Sequence, residues 1–523
     1  MTDQAGPTET AATLPTMKDR LAELERRRQI ALGMGGEDRI ARHHASGRLT
    51  ARERITALLD DDSFYEIGML AEPERRLDRP VPGDGCITGF GRLDGRKVCL
   101  IAIDATTLAG TTAPISMRKQ GRIAEFAATK GLPLILLMDA DGGRIPDVMG
   151  WRFSGLPFDF STFLQTPEGY PPIPRIAAML GPGYGDSALH AGTAHIVIMT
   201  ESSSIALVGP TVVASAIGEV VSDEELGGPA HAQELGTAHL ALPDEQEVFD
   251  AIAAYLSYFP SNASRPAPLA PAVEPRRPAE SLLEVVPTNP KQAYDMVEVL
   301  DAIVDADTLL PWRPEAGKAI IAAFARIGGQ PIGVIASQPR FGAGALDPKA
   351  LEKAHTFVDL CDTFNLPLVY LQDVPGLLVG IEAERQGIVA WYERLVARMA
   401  RTKVPNVAVV VRKAFGGGHY ALGGRPTNPD LLVCWPTAEL GFMAPDTGIV
   451  TVNRRRLEAA EAEGGIEARR ALEAELSAYW ADESEPWEAA AHTYVDDIID
   501  PRDTRKVILT GIEFGWGDRD RVG

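Results

Sequence analysis

Leu132–Asp139 reads LPLILLMD, and Leu366–Asp373, at an offset of 234, reads LPLVYLQD. Each is a short, unbroken apolar run closed by an aspartate, the pattern of a strand buried on both faces. The same offset places Phe90-x-Arg92-Leu93-x-Gly95 on Phe324-x-Arg326-Ile327-x-Gly329, and Lys119 on Lys353. Downstream, Ile173–Gly185 (IPRIAAMLGPGYG) resembles Val404–Gly416 (VPNVAVVVRKAFG) at an offset of 231. One apolar match can arise by chance; four at a nearly constant offset indicate a duplicated unit.

The unit itself reads as alternating strands and helices. Val98–Ile103 and Pro331–Ala336 are strand-like apolar runs that follow Gly-containing turns. Asp347-Pro348 supplies a helix cap and a proline at the first helical position. Leu351, Ala354, Val358 and Cys361 then keep one helical face, and Pro367 follows soon after. Strand, helix, strand, loop, helix, strand in each half predicts an α/β fold with largely parallel pairing.

At 523 residues the chain suits two such lobes. A helix carrying Val248, Ile252, Tyr255 and Leu256 ends at Pro260, and 261–290, with seven prolines, has the composition of a semi-rigid linker. The predicted organisation is a first lobe over 17–260, a linker over 261–290 and a second lobe over 291–515. Helical segments are expected at Met17–Arg42 and Arg454–Trp480, and Thr50-Ala-Arg-Glu53 is a capping box opening a short helix.

A net charge of −21 argues against nucleic acid or an anionic membrane surface as the main partner. No apolar run reaches the ~18 residues of a membrane span. Residues 1–16 lack Arg, Lys and an apolar core, so no leader is read there and a cytoplasmic location is expected. Cys86, Cys99, Cys361 and Cys434 have no ligand or disulfide spacing and read as buried thiols. No HExxH, GxSxG or GxxxxGK[ST] pattern is present, and no bound metal is expected.

The chemistry is expected at two glycine turns. One strand runs into Ala140-Asp141-Gly142-Gly143-Arg144, and Val407–Val411 leads into Phe415-Gly416-Gly417-Gly418-His419-Tyr420. Glycine just past a strand allows a tight turn that points backbone N–H groups into a cleft, where they can stabilise an enolate or tetrahedral oxyanion. The two turns fall at non-equivalent points of the repeat. No pair of carboxylates, as a crotonase-type hydratase would need, stands out in either.

Over nearly its whole length the chain resembles the carboxyltransferase (β) subunits of biotin-dependent acyl-CoA carboxylases, of the propionyl-CoA, acetyl-CoA and methylcrotonyl-CoA carboxylase type. The resemblance lies in Gly47-Arg-Leu-Thr-Ala-Arg-Glu-Arg-Ile55, Leu58-Leu59-Asp60 with Ser63-Phe64, Glu225-Leu-Gly-Gly228 with His231, and Gly236-Thr-Ala-His239. In the second half it lies in Asp373-Val-Pro-Gly376, Val411-Arg-Lys-Ala-Phe-Gly-Gly417, Trp435-Pro-Thr-Ala-Glu439 and Val495–Arg505. It implies two tandem crotonase-like (ClpP/crotonase) domains with helical N- and C-terminal extensions. It also implies carboxyl transfer from carboxybiotin to an acyl-CoA.

By that resemblance Gly142 and Gly143 stabilise the thioester enolate, and Gly417 and Gly418 hold the biotin ureido oxygen. Asp141, Phe415, Gly416 and Tyr420 are the expected substrate contacts. The resemblance further implies a homo-hexameric core whose pockets form between subunits. The partners it implies are a biotin carboxylase and a biotin carboxyl carrier, because this chain has neither a Met-Lys-Met site nor an ATP-binding glycine loop.

Four places depart from the family pattern: Asp141, the run Asp186–Ala191 after Gly185, Trp391-Tyr392-Glu393 after Gly387-Ile-Val389, and Tyr420. Asp141 could stand beside the first turn or cap the following helix. A decarboxylase subunit working in the reverse direction and a non-catalytic scaffold stay open as alternatives.

Overall fold

The computed structural model describes residues 14–154, 166–518 and 521. The stretch read for a leader lies outside them, apart from residues 14–16. Each half of the chain builds one eight-stranded sheet. The first contains β1 (Tyr65–Ile67), β2 (Cys86–Leu93), β3 (Arg96–Ile103), β4 (Leu134–Ala140), β5 (Arg175–Tyr184), β6 (Ile196–Thr200), β7 (Ser204–Ala206) and β8 (Leu240–Leu242). The second contains β9 (Leu310–Pro311), β10 (Ile320–Ile327), β11 (Gln330–Ser337), β12 (Leu368–Val374), β13 (Asn406–Phe415), β14 (Leu431–Cys434), β15 (Glu439–Gly441) and β16 (Asp497–Ile498).

The order β1-β2-β3-β4-β5-β6-β8, with β7 on β5, repeats as β9-β10-β11-β12-β13-β14-β16, with β15 on β13. The first three strands of each sheet pair antiparallel and the remainder parallel. β4 and β12, the two apolar runs that revealed the repeat, lie mid-sheet with every residue buried. An unbroken apolar run is what a strand covered on both faces requires.

The parallel pairs are joined by helices Pro114–Lys130 and Pro348–Thr363. Asp347 accepts the Ala350 N–H at 2.7 Å, and Leu351, Ala354, Val358 and Cys361 all face the core. Around the sheets, Thr50 and Glu53 close the expected capping box ahead of helix Ala51–Leu58. All four cysteines are buried and free. Phe259, just after helix Glu245–Tyr258, makes edge contacts with Phe324 and Phe364 of the second half, so the apolar packing is continuous between the two sheets.

The helical ends depart from expectation in detail. The segment Met17–Arg42 is two helices, Met17–Leu32 and Glu37–Ala45. The break falls where Gly35 presses on Thr106, whose carbonyl oxygen would stand 1.9 Å from a Cβ there. The C-terminal helix Pro445–Ser484 departs from helical geometry at Asn453 and at Gly465 (φ 73°), and doubles back so that the Trp480 ring covers Gly448. Among the described residues no helix is long and apolar enough to cross a membrane.

The repeated lysines are internal pegs. Lys119 Nζ donates to the carbonyls of Gly83 and Cys86, and Lys353 Nζ to those of Ala316 at 3.0 Å and Ile320 at 2.8 Å. Burial pulls the Lys353 amine down to about 7 from its ordinary 10.5. Between those two values the unfolded chain binds more protons than the folded one, so the fold gains stability as pH rises through that window. Lys353→Met removes the titrating group. The stability advantage of the parent over this variant should therefore grow from pH 7 to pH 10 in urea-midpoint measurements; an advantage independent of pH would refute the assignment.

Candidate active site

Both central strands end on a buried aspartate. Asp139 takes Arg48 and Arg54, each with an Nη1 at 3.0 Å, while Arg54 also grips Glu245 at 2.7 and 2.8 Å. Asp373 takes Arg412 at 2.8 Å, and its other oxygen accepts the Lys413 N–H at 3.2 Å. Arg412 Nη1 reaches on to the carbonyls of Pro287, Asn289 and Gln292. The pairing of β4 with β5 slips between Met138 and Ala140, and that of β12 with β13 between Gln372 and Val374, in both cases at the aspartate. A strand that loses register at its end leaves the sheet and frees backbone groups for other work.

Beyond each aspartate the chain forms the same ladder. Thr112 N–H donates to the Gly142 carbonyl at 2.8 Å, and Arg144 N–H to the Thr112 carbonyl at 2.7 Å. In the second half Leu346 N–H donates to the Gly376 carbonyl at 3.1 Å, and Leu378 N–H to the Leu346 carbonyl at 2.9 Å. A parallel bridge of this kind turns the N–H of the middle residue, Gly143 or Leu377, to the opposite edge.

That edge faces the turn after the neighbouring strand. A Cβ on Gly185 would stand 3.4 Å from Gly142 Cα and 4.0 Å from Gly143 N, so the two backbones touch. A Cβ on Gly418 would stand 3.0 Å from Gly376 Cα and 2.6 Å from Val374 Cγ2. Helix Asp186–Gly192 starts at the first contact and helix Gly416–Ala421 at the second. The N–H groups of a helix's first turn have no intrahelical acceptor. Each lobe thus presents one inward N–H from a bridged loop beside the free N–H groups of a helix start.

The two glycine turns singled out from the sequence are therefore opposite halves of one arrangement. Gly142 and Gly143 belong to the loop half of the first lobe; Gly416, Gly417 and Gly418 belong to the helix half of the second. The complementary halves, Gly185–Ser187 and Gly376–Leu377, were not singled out by residue type. The offset of 231 that sets Gly185 on Gly416, and the offset of 234 that sets Gly142–Gly143 on Gly376–Leu377, carried the signal.

Around the first turn, Asp141 is exposed, its N–H donates to the Ala109 carbonyl at 3.1 Å, and it does not cap the next helix: Ile145–Val148 has Arg144 at its N-cap and no side-chain cap bond. Surrounding protein, then Asp139 and Asp223, push its carboxyl above the usual range. Phe415 is buried with its ring against Gly441, so its contribution to the second turn is backbone. Tyr420 is exposed beside His419. His419 bonds Gln372 Oε1 at 2.7 Å, and burial takes it down to about 4, which keeps it neutral at pH 7.

Of the unusual pair Trp391-Tyr392, Tyr392 is the residue at the turn, its ring 3.3 Å from where a Gly417 Cβ would stand. Trp391 packs on His355 and Arg394 instead. Among the described residues no three His, Cys, Asp or Glu side chains gather to hold a metal ion.

Residues 42–521 match the family model described as a carboxyl transferase domain. The chain is 34% identical over 506 residues to the propionyl-CoA carboxylase carboxyltransferase subunit of Haloferax mediterranei, covering 95% of this chain and 96% of that one. It is 37% identical over 523 residues to the biotin-dependent acetyl-/propionyl-coenzyme A carboxylase beta5 subunit of Mycobacterium tuberculosis, covering 97% and 94%. Among solved structures, the transcarboxylase 12S hexamer with methylmalonyl-coenzyme A bound superposes with a TM-score of 0.88 at 32% identity, over 97% of this chain and 96% of that one. With the duplicated crotonase-like sheets and a turn pair in each, this chain belongs to the carboxyl transferase family, the family of the carboxyltransferase subunits of biotin-dependent acyl-CoA carboxylases.

Proposed function

We propose that this chain transfers a carboxyl group between biotin, carried on a partner protein, and the α- or vinylogous carbon of an acyl-CoA thioester. The observation that carries the reading is the turn pair repeated in both lobes, because the reaction needs two separate places for developing negative charge on oxygen. Gly143 N–H, with the start of helix Asp186–Gly192, is assigned to the thioester enolate oxygen. Leu377 N–H, with Gly417 and Gly418, is assigned to the ureido oxygen of biotin. The acyl-CoA lobe is then 17–260, the biotin lobe 291–515, and 261–290 joins them.

Backbone donors suit this task because they are fixed before the charge appears, and losing one costs on the order of 3 kcal/mol of barrier. Bound carboxybiotin supplies the carboxyl group and, at its ureido nitrogen, the base for the α-proton. The chain's own part is to hold the two oxygens and to keep the reacting atoms in register. At the second turn Gly417 lies between Leu377 and Tyr392, which stand 3.1 and 3.3 Å from where its Cβ would be, so any side chain there would crowd both. Tyr392 and Tyr420 are assigned to setting the shape of this turn.

The pockets are proposed to close between copies of the chain. Leu207, whose carbonyl accepts the Gly185 N–H, is 67% exposed beside the first turn. Phe442, whose carbonyl oxygen faces Gly416, is 82% exposed beside the second. Large exposed apolar side chains flanking both sites support cover by another subunit, and the 12S relative is described as a hexamer. A biotin carboxylase and a carrier are the remaining partners, and the compartment is assigned as the cytoplasm.

Purified protein given malonyl- or methylmalonyl-CoA and free biotin should release the carboxyl group in a biotin-dependent way; no turnover with any carboxyacyl-CoA would sink the reading. Gly418→Pro should lower that rate on the order of 100-fold. It should do so by more than Gly418→Ala, which crowds Val374 but keeps the N–H; equal losses would remove the N–H from the mechanism. In light scattering the 56.2 kDa chain should run as six copies, and Phe442→Glu should yield smaller species with little transfer activity. A fully assembled Phe442→Glu variant would place the subunit contact elsewhere.

A further inference from the structure

The two turn pairs are built on one plan, but they are held together differently. In the first lobe the Thr112 hydroxyl donates to the Asp186 carboxylate, a hydrogen bond between residues 74 apart in the chain. Thr112 is buried and is itself the rung that bridges the Gly142–Gly143 loop, through its N–H to Gly142 and its carbonyl from Arg144. Asp186 is the first residue of the helix that opens at the facing turn. The bond therefore joins the loop half of the site directly to the helix half.

Behind the loop, Arg144 is fixed as well, with Asp84 at 2.5 Å and the Thr111 carbonyl at 2.9 Å. The loop is thus clamped from the back by Arg144 and across the cleft by Thr112. In the second lobe the equivalent positions are Leu346 and Gly417, which cannot form such a bond. There the halves meet by close packing, with Leu377 against Gly417 and Gly376 against Gly418. Gly142 and Gly185 also touch, at 3.4 Å for a Cβ at Gly185, and here the polar cross-link is added to the contact.

We infer that the Thr112–Asp186 hydrogen bond is a latch that sets the first-lobe turn pair in register for catalysis, with Thr112 and Asp186 as positioning residues. The inference rests on the carboxyl-transfer reading above and adds to it where the accuracy of the first site comes from. A half-buried carboxylate such as that of Asp186 loses solvation that a specific bond offsets. Here the compensation is geometric: Gly143 N–H and the helix-start N–H groups stay aimed at one point. Displacement of donors by about 1 Å is enough to cost on the order of 100-fold in rate. Donors that act on charge developing in the transition state should affect kcat far more than KM.

The test uses the full-length chain and biotin-dependent decarboxylation of methylmalonyl-CoA. Thr112→Val keeps the shape and removes the hydroxyl; it should lower kcat roughly 10- to 100-fold with KM within about twofold. Thr112→Ser restores the donor, and Asp186→Asn keeps an acceptor oxygen; both should recover to within about threefold of the parent. Parent-like kcat in Thr112→Val, or a serine variant as impaired as the valine one, overturns the latch while leaving carboxyl transfer intact. If the parent itself shows no transfer, the functional reading fails, and amide hydrogen exchange then decides the latch. Faster exchange at Thr112, Arg144 and Leu189, whose N–H groups are bonded in the loop ladder and in the first turn of the facing helix, in Thr112→Val but not in Thr112→Ser upholds it, and unchanged exchange overturns it.

Discussion

The carboxylates of Asp139 and Asp373, buried at the ends of the two central strands, set the terms for the remainder of the structure. Each sits where its strand slips out of register, and each is held by arginine in a region closed to water. A buried carboxylate without such partners would be untenable, and removing Arg412, or Arg48 and Arg54 together, would take away the arginine that compensates it. With the pair in place, the strand must turn at one point, and the loop beyond it must run beside Thr112 or Leu346. The backbone N–H groups of the two turns are therefore positioned by ion pairs buried behind them.

The two lobes recruit that arginine from different places. In the first, Arg48 and Arg54 come from the helical segment ahead of the sheet, which makes the N-terminal extension part of the site's foundation. In the second, Arg412 comes from the adjacent strand and reaches carbonyls in the proline-rich connection, so that this stretch also anchors the second lobe. Neither extension nor connection is a passive spacer.

The sheets were legible because a strand buried on both faces needs an unbroken apolar run, and two such runs at one offset are hard to miss. The helix faces of Pro348–Thr363 and Glu245–Tyr258 followed from 3.6-residue spacing for the same reason. The break at Gly33–Gly36 was hidden because it answers to a tertiary contact with Thr106. The site was half legible. Glycines mark turns where a side chain is excluded, so Gly142–Gly143 and Gly416–Gly418 stood out. Leu377 did not, since a backbone donor leaves no trace in residue type. Helical phase, which a tripeptide does not reveal, sends Tyr392 and not Trp391 to the turn. Asp186 looked like a local departure because its partner, Thr112, lies 74 residues away in the chain.

Leu207 and Phe442 occupy the same place in the repeat, each the residue just past the short strand that flanks its turn. An apolar side chain at the same place in both lobes gives each the same flank to present to another copy. The lysine pegs, which no chemistry at the turns requires, repeat in the same way. Divergence is written instead in the latch: a threonine and an aspartate in one lobe, a leucine and a glycine in the other. The chain is in this sense a heterodimer carried on one polypeptide, its halves built on one plan and fastened in two ways.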